Sequence, residues 1–396
     1  MRSELIADTN SSLPLSAPEI GGNEWKYVKE CLDTGWVSSV GPFVERFERT
    51  VAEYVGADYG IAVVNGTAAL HTALQVVDVQ PDDEVLVSDL SFVAPANAVR
   101  YCGAHPVFID ADPLTWQMDI DKVARFLRQA CVVRRGTCYN TRTRRRVRAM
   151  LPVHILGFAC AMDRVVELAR AYHLRVVEDA AEALGVRYQG RHVGTFGDVG
   201  IFSFNGNKII TSGGGGMLVT DQPRLAERAR YLTTQAKDDG VEYIHRELGY
   251  NYRLTNLQAA LGVAQLERLE EFIMRKRAIA QGYAHLLQHE RLDVSLMPAP
   301  VDVEPTYWLY SILLKKGTTV AQRQVIIRRL RASGIEARPL WHPIHSLPLY
   351  RRCETVKVHC ATQLYARAIS LPSSVSLHRA DLERCVDTLR QVMAEG

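Results

Sequence analysis

The chain has 396 residues, 47% of them hydrophobic and 23% charged, with a formal net charge of +3. That length suits one large domain plus a smaller one, since single cores stop growing near ~250–300 residues. The near-neutral balance gives no argument for nucleic acid, no apolar run reaches the ~18–20 residues that span a bilayer, and MRSELIADTNSSLPLS lacks the apolar core of a signal peptide.

The expectation is therefore a cytoplasmic protein with no nucleic-acid or membrane partner. Residues 1–13 are polar and read as a flexible arm. Residues 24–32 have helical periodicity closed by Asp33-Thr34-Gly35, and 43–55 form a second helix that Gly56 stops. Strands and helices then alternate: strand 61–64, helix 68–77, strand 84–87, helix 94–101 and strand 106–109. Segments 150–155, 175–177 and 199–202 read as further strands, with a helix at 162–172. Continuous apolar strands joined by helical crossovers imply a mostly parallel α/β sheet, which makes 14–250 the large domain. Beyond it the pattern changes to one long proline-free helix at 255–281, a strand at 308–314, and helical pieces at 321–333, 364–368 and 379–393. Residues 251–396 thus form a smaller C-terminal α+β domain.

Two features stand outside this plan. Arg134-Arg135-Gly136 and the run Arg142–Arg146 flank residues 137–141, which suggests an exposed hairpin. It reads as a solvated basic surface, or as a contact for an anionic ligand or a second subunit; nucleic acid is a minor option, because Tyr139 is the lone aromatic there. The eight cysteines never pair as C-x-x-C, so no metal site is expected and the thiols read as reduced and structural.

The chemistry concentrates at strand ends. The strand 175–177 delivers Asp179, and a buried carboxylate there could keep a pyridine nitrogen protonated or simply cap a helix after the strand. After strand 199–202 come Ser203 and Lys208 in a small polar loop; Lys208 is either a solvated charge or an amine able to attack a carbonyl. Asn65-Gly66-Thr67-Ala68 joins a strand to a helix, which is a structural cap or an anion cradle. Phe92 is core packing or a stacking face for a flat ring. Residues 213–216 are four glycines that permit close backbone approach to a flat ligand, and they lack the spacing of a dinucleotide fingerprint.

Taken together, NGTAAL, VVEDAAE, FSFNGNK and GYNYRLTNLQAALGVAQL resemble the DegT/DnrJ/EryC1/StrS sugar aminotransferases, over nearly the whole chain. GNEWKYVKECLDTGWVSSVGPFVERFE, TSGGGGM and TTQAKDD look like the LegC-type branch, which acts on nucleotide-linked 4-keto-6-deoxy sugars, often 2-acetamido ones; the chain is also similar to perosamine synthases. The resemblance implies a pyridoxal-phosphate-dependent transferase of fold type I, aspartate-aminotransferase-like. Lys208 and Asp179 are then the catalytic pair, with Lys208 bonding pyridoxal 5′-phosphate and Asp179 facing its ring nitrogen. Gly66, Thr67, Ala68 and Ser203 would hold the phosphate, Phe92 would stack on the ring, and Glu182 stands where many relatives carry histidine or glutamine. Asn251 would reach the neighbouring subunit's site, making a homodimer with shared active sites. Trp36, Arg253 and His342 are candidates for the sugar-nucleotide pocket.

The implied reaction is ping-pong: glutamate leaves its nitrogen on the cofactor as pyridoxamine 5′-phosphate, and a nucleotide-linked keto sugar takes it up. A UDP-linked 2-acetamido-2,6-dideoxy-hex-4-ulose is the first expectation and a GDP-4-keto-6-deoxy sugar the second. Lys208 argues against a dehydratase of the same family, which carries histidine there. Lys208 and Asp179 together argue against a non-catalytic binding protein on this fold.

Overall fold

A computed structural model describes residues 12–297 and 300–394. The expected arm at 1–13 lies almost wholly outside the described residues; Leu13 itself pairs with Ile335 in an isolated parallel bridge.

The larger sheet uses eight strands: β1 (Tyr59–Val63), β2 (Glu84–Ser88), β3 (His105–Ile109), β4 (Val147–Leu151), β5 (Arg175–Asp179), β6 (Val199–Ser203), β7 (Gly216–Thr220) and β8 (Thr355–Val356). Their order is β1-β7-β6-β5-β4-β2-β3-β8. All neighbours run parallel except β7, which is antiparallel to both β1 and β6. The apolar runs of β2, β4 and β7 are buried along nearly their whole length, as expected for strands covered on both faces. Strand β7 is not among the strands the sequence suggests, because three glycines precede it and a fourth opens it, hiding its start. Gly216 is required there: a Cβ at this position would lie 2.5 Å from the Asn65 carbonyl oxygen. The close approach is thus to the chain's own backbone, and none of the four glycines lines the cavity at the strand ends.

Local signals set several helix boundaries. Pro42 opens the helix Pro42–Val55 and Gly56, at φ 79°, closes it in the left-handed region. Thr255 starts the helix Asn256–Leu266 through a reciprocal capping box with Gln258. The single helix expected at 255–281 is in fact two, Asn256–Leu266 and Leu269–His289. No proline or glycine marks the break. It is held by tertiary bonds: Glu267 accepts from Asn23, the Tyr27 hydroxyl and Arg46. The piece expected as helix at 364–368 is the end of a helix, Cys360–Arg367, followed by a strand, Ala368–Leu371, whose burial on a second sheet overrides helical periodicity. The basic segment does fold back on itself: Cys131–Arg134 pairs antiparallel with Thr137–Asn140. Its inner face is not solvated, since Asn140 is buried and donates to both Glu84 and Glu354.

Among the described residues two large hydrophobic cores result, beside a small third cluster of Ala96, Phe108, Ile344 and Tyr350. One surrounds the large sheet and extends to Leu269, Phe272 and Ile273; the other begins at Ile279 on the same helix and packs against the four-stranded sheet containing Tyr310–Leu314 and Ala368–Leu371. The helix Leu269–His289 is therefore shared. All eight cysteines are free thiols, and no helix among the described residues is long and apolar enough to cross a membrane.

Candidate active site

Open α/β sheets bind ligands beyond the carboxyl ends of their strands. Here the ends of β1, β2, β5 and β6 meet in a cavity of about 410 Å³, capped by residues of the second sheet. From β1 come Asn65, Gly66 and Thr67; from the segment after β2, Ser91 and Phe92; from β5, Asp179 and Glu182; from β6, Ser203 and Lys208.

The cradle is built by a helix N-terminus. Asn65 caps the helix Gly66–Val76, its side-chain oxygen accepting from the Ala68 N–H at 2.8 Å. That bond occupies the Ala68 amide, and Ala68 does not line the cavity. Gly66 and Thr67 remain at the positive end of the helix, with the Thr67 hydroxyl beside them. Gly66 also lets the strand ends close up: a Cβ there would stand 3.0 Å from the Ser203 Cβ.

Asp179 is buried, and one carboxylate oxygen accepts from the Ala181 N–H at 3.0 Å. No helix comes directly after it, so it is not a helix cap. Burial pushes its pKa up to about 6. A dehydrated carboxylate lacking a direct cationic partner is poised to receive a positively charged N–H. Below it, His154 is bonded by the Cys160 N–H at Nδ1 and lies with Nε2 3.1 Å from Glu178.

Lys208 enters from the opposite wall, its side chain 13% exposed. Its Nζ lies 3.4 Å from Glu182 Oε1 and 4.0 Å from the centre of the Trp308 ring. The other oxygen of Glu182 accepts from the Leu156 N–H at 2.9 Å, so the carboxylate is held at both ends. Burial raises the Glu182 pKa, with Lys208 working against that rise. Phe92 lines the cavity yet is 57% exposed, which leaves a ring face free for a planar ligand.

Four expected residues lie elsewhere in this chain. Asn251 and Arg253 line a different surface cavity of about 600 Å³, together with Lys237, Tyr243 and His245. Arg253 is bound there to Glu48 at 2.7 Å. Trp36 is half-exposed and contributes its carbonyl to Asn256, and His342 packs on Tyr365 and bonds the Ser346 hydroxyl. The cavity is instead lined by Leu15, Asn207, Trp308, Arg338 and Trp341, of which Leu15 and Trp308 are buried and Arg338 is exposed. Arg338 and Trp341, which line the cavity, belong to the same short segment as His342, which does not. Leu15 carries no signal in the sequence.

The donor set fits pyridoxal 5′-phosphate on the structure's own terms: an anion cradle that a Cβ at Gly66 would crowd, a buried carboxylate with no cation bonded to it, an open aromatic face and a shielded amine. The description DegT/DnrJ/EryC1/StrS aminotransferase family matches residues 18–390. GDP-perosamine synthase of Caulobacter vibrioides is 40% identical over 386 residues, covering 97% of this chain and all of that protein. The crystal structure of the aminotransferase TlmJ from Streptoalloteichus hindustanus superposes with a TM-score of 0.86 at 29% identity, covering 97% of this chain and 99% of the other. DesI, solved with its TDP-sugar product, gives 0.84 at 29% identity over 96% and 93%. The chain belongs to the DegT/DnrJ/EryC1/StrS aminotransferase family and is a pyridoxal-phosphate-dependent enzyme acting on nucleotide sugars.

Proposed function

We propose that the chain transfers the amino group of glutamate to C4 of a nucleotide-linked 4-keto-6-deoxy sugar. The observation that carries this is the convergence of Lys208, Glu182 and Asp179 with the Gly66–Thr67 helix terminus in one cavity. Similarity to a GDP-perosamine synthase along the whole chain supports a GDP-linked substrate. The LegC-type segments support a UDP-linked 2-acetamido sugar.

In this reading Gly66, Thr67 and Ser203 hold the phosphate, Phe92 stacks on the ring, and Asp179 holds a proton at the ring nitrogen. The bound cofactor supplies an electron sink that makes the proton on the amine-bearing carbon labile. Lys208 would take that proton at Nζ and return it to the other carbon bonded to the same nitrogen, and general acid–base help of this kind contributes ~10²–10⁴-fold. Glu182 keeps Nζ from swinging away, and the Trp308 ring shields it from water. Arg338, at the mouth, binds the anionic portion of either substrate.

The homodimer with shared sites belongs to this proposal. Asn251 sits beside exposed Val40 and Tyr243 rather than in its own chain's active-site cavity, as expected of a residue that serves a partner. The purified enzyme should be incubated with glutamate and GDP-, UDP- and dTDP-linked 4-keto-6-deoxy sugars, with products identified by mass. An amino sugar from the GDP or UDP substrate is expected; no amine transfer to any of the three overturns the reading.

A further inference from the structure

One buried charge lies outside the cavity and has no part in the chemistry above. Lys276, on the helix Leu269–His289 that both cores share, is 3% exposed. Its Nζ donates to two backbone carbonyls, Trp308 at 2.8 Å and Ser373 at 2.7 Å. None of the described ion pairs includes it, and burial pushes its pKa down to about 7. Burying an ammonium against neutral acceptors is costly, and an apolar side chain of similar volume would avoid that cost. The packing of the helix does not call for a charge here. The two carbonyls do.

Each carbonyl leads to a wall of the active-site cavity, and the two walls converge. Trp308 places its ring 4.0 Å from Lys208 Nζ, while its Nε1–H donates to the Asn207 carbonyl at 2.6 Å. Ser373 donates its N–H to the Leu15 carbonyl at 2.7 Å, and the next residue, Ser16, donates its hydroxyl to the same Asn207 carbonyl at 3.0 Å. Asn207 immediately precedes Lys208. The contacts close a ring, Lys276–Trp308–Asn207–Ser16–Leu15–Ser373–Lys276, in which Lys276 joins the two arms at the side far from Asn207.

We infer that Lys276 is a positioning residue for Lys208: by clasping the Trp308 and Ser373 carbonyls it fixes both donors that seat Asn207, and with them the covering of the Lys208 amine. The inference rests on Lys208 being the reacting amine. Its test reads how Lys208 is seated, without turnover, so that the two can fail separately.

The full-length chain, freed of cofactor, is pulse-labelled with an amine-acylating reagent, and the Lys208 peptide is quantified by mass spectrometry. Lys29, whose side chain is 58% exposed, serves as an internal standard. In Lys276→Met, Lys208 should acylate about threefold faster or more, the low end of couplings between contacting residues, with Lys29 unchanged. Trp308→Phe keeps a ring but removes the Nε1 donor, and should give a similar rise. The double variant should exceed neither single one by much, because both break the same ring. Lys276→Arg, which retains the donors, should restore the parental rate toward Lys208. If Lys276→Met fails to fold, Lys276→Gln, which keeps amide donors for one carbonyl, takes its place with the same expected direction. A parental Lys208 rate in folded Lys276→Met or Lys276→Gln overturns the inference, as does strict additivity of the two changes.

Discussion

Lys208 and Glu182 form an ion pair within the cavity, Nζ to Oε1 at 3.4 Å, and the second oxygen of Glu182 is bound by the Leu156 N–H. The amine therefore has a fixed counter-charge on the side facing β5. Lys208→Ala should abolish multiple turnover while the far-ultraviolet circular dichroism stays native. Lys208→Arg, which keeps the charge but not the nucleophile, should be equally inactive. Sustained turnover by either variant without added amine would remove Lys208 from its role.

Asp179 allows a test with a sign. Its pKa is about 6 in the folded chain, raised by burial, against ~3.9 when unfolded. For a raised pKa the contribution to stability is present below the unfolded value and lost as pH climbs through the folded one. In the cofactor-free chain at pH 7.5 the carboxylate should thus cost on the order of 3 kcal/mol. Asp179→Asn should melt higher than the parent at pH 7.5, with the gap narrowing steadily toward pH 4. With cofactor bound the same substitution should slow transamination at least ~10²-fold. A melting gap independent of pH would place the perturbed group elsewhere.

Arg338 lines the cavity mouth, and its nearest acid, Glu336, is 3.8 Å away. Arg338→Gln should raise KM for the sugar nucleotide by roughly ten- to a hundredfold, the worth of one charge-assisted hydrogen bond, with a smaller change in kcat. Unaltered kinetics for both substrates would leave Arg338 a surface residue.

The shared site can be tested by complementation. Lys208→Ala and Asn251→Asp are each expected to be inactive. After verified subunit exchange, half the dimers pair one of each, and each such dimer has one intact site. Activity should recover to about a quarter of the parent. Recovery no higher than that of the separate variants would show that Asn251 does not act across an interface.

The sheet is legible in the sequence because its strands are short apolar runs set off by helical spacing, and the ends of β1, β5 and β6 carry the chemistry at recognisable positions. What is not legible comes from distance in the chain. Nothing local breaks the helix at Glu267; Tyr27 and Arg46 do, from more than two hundred residues away. Trp308 and Leu15 reach the cavity from distant parts of the chain, both packed into the core around the large sheet, and no periodicity announces that. An imidazole suggests chemistry, which favours His342 over its neighbours Trp341 and Arg338 when only the sequence is read. In the folded chain Arg338 and Trp341 line the cavity instead.

The two-residue strand Thr355–Val356 pairs with β3 and closes that margin of the large sheet. Its place in the chain has a consequence for biogenesis. While the protein is being synthesised, β3 has no outer neighbour until the ribosome has passed residue 356, although every other strand of that sheet has already emerged. The nascent chain thus carries an unpaired strand margin through most of its translation, the kind of surface on which chains associate wrongly. Premature termination before residue 355 should therefore yield aggregates rather than a smaller soluble domain.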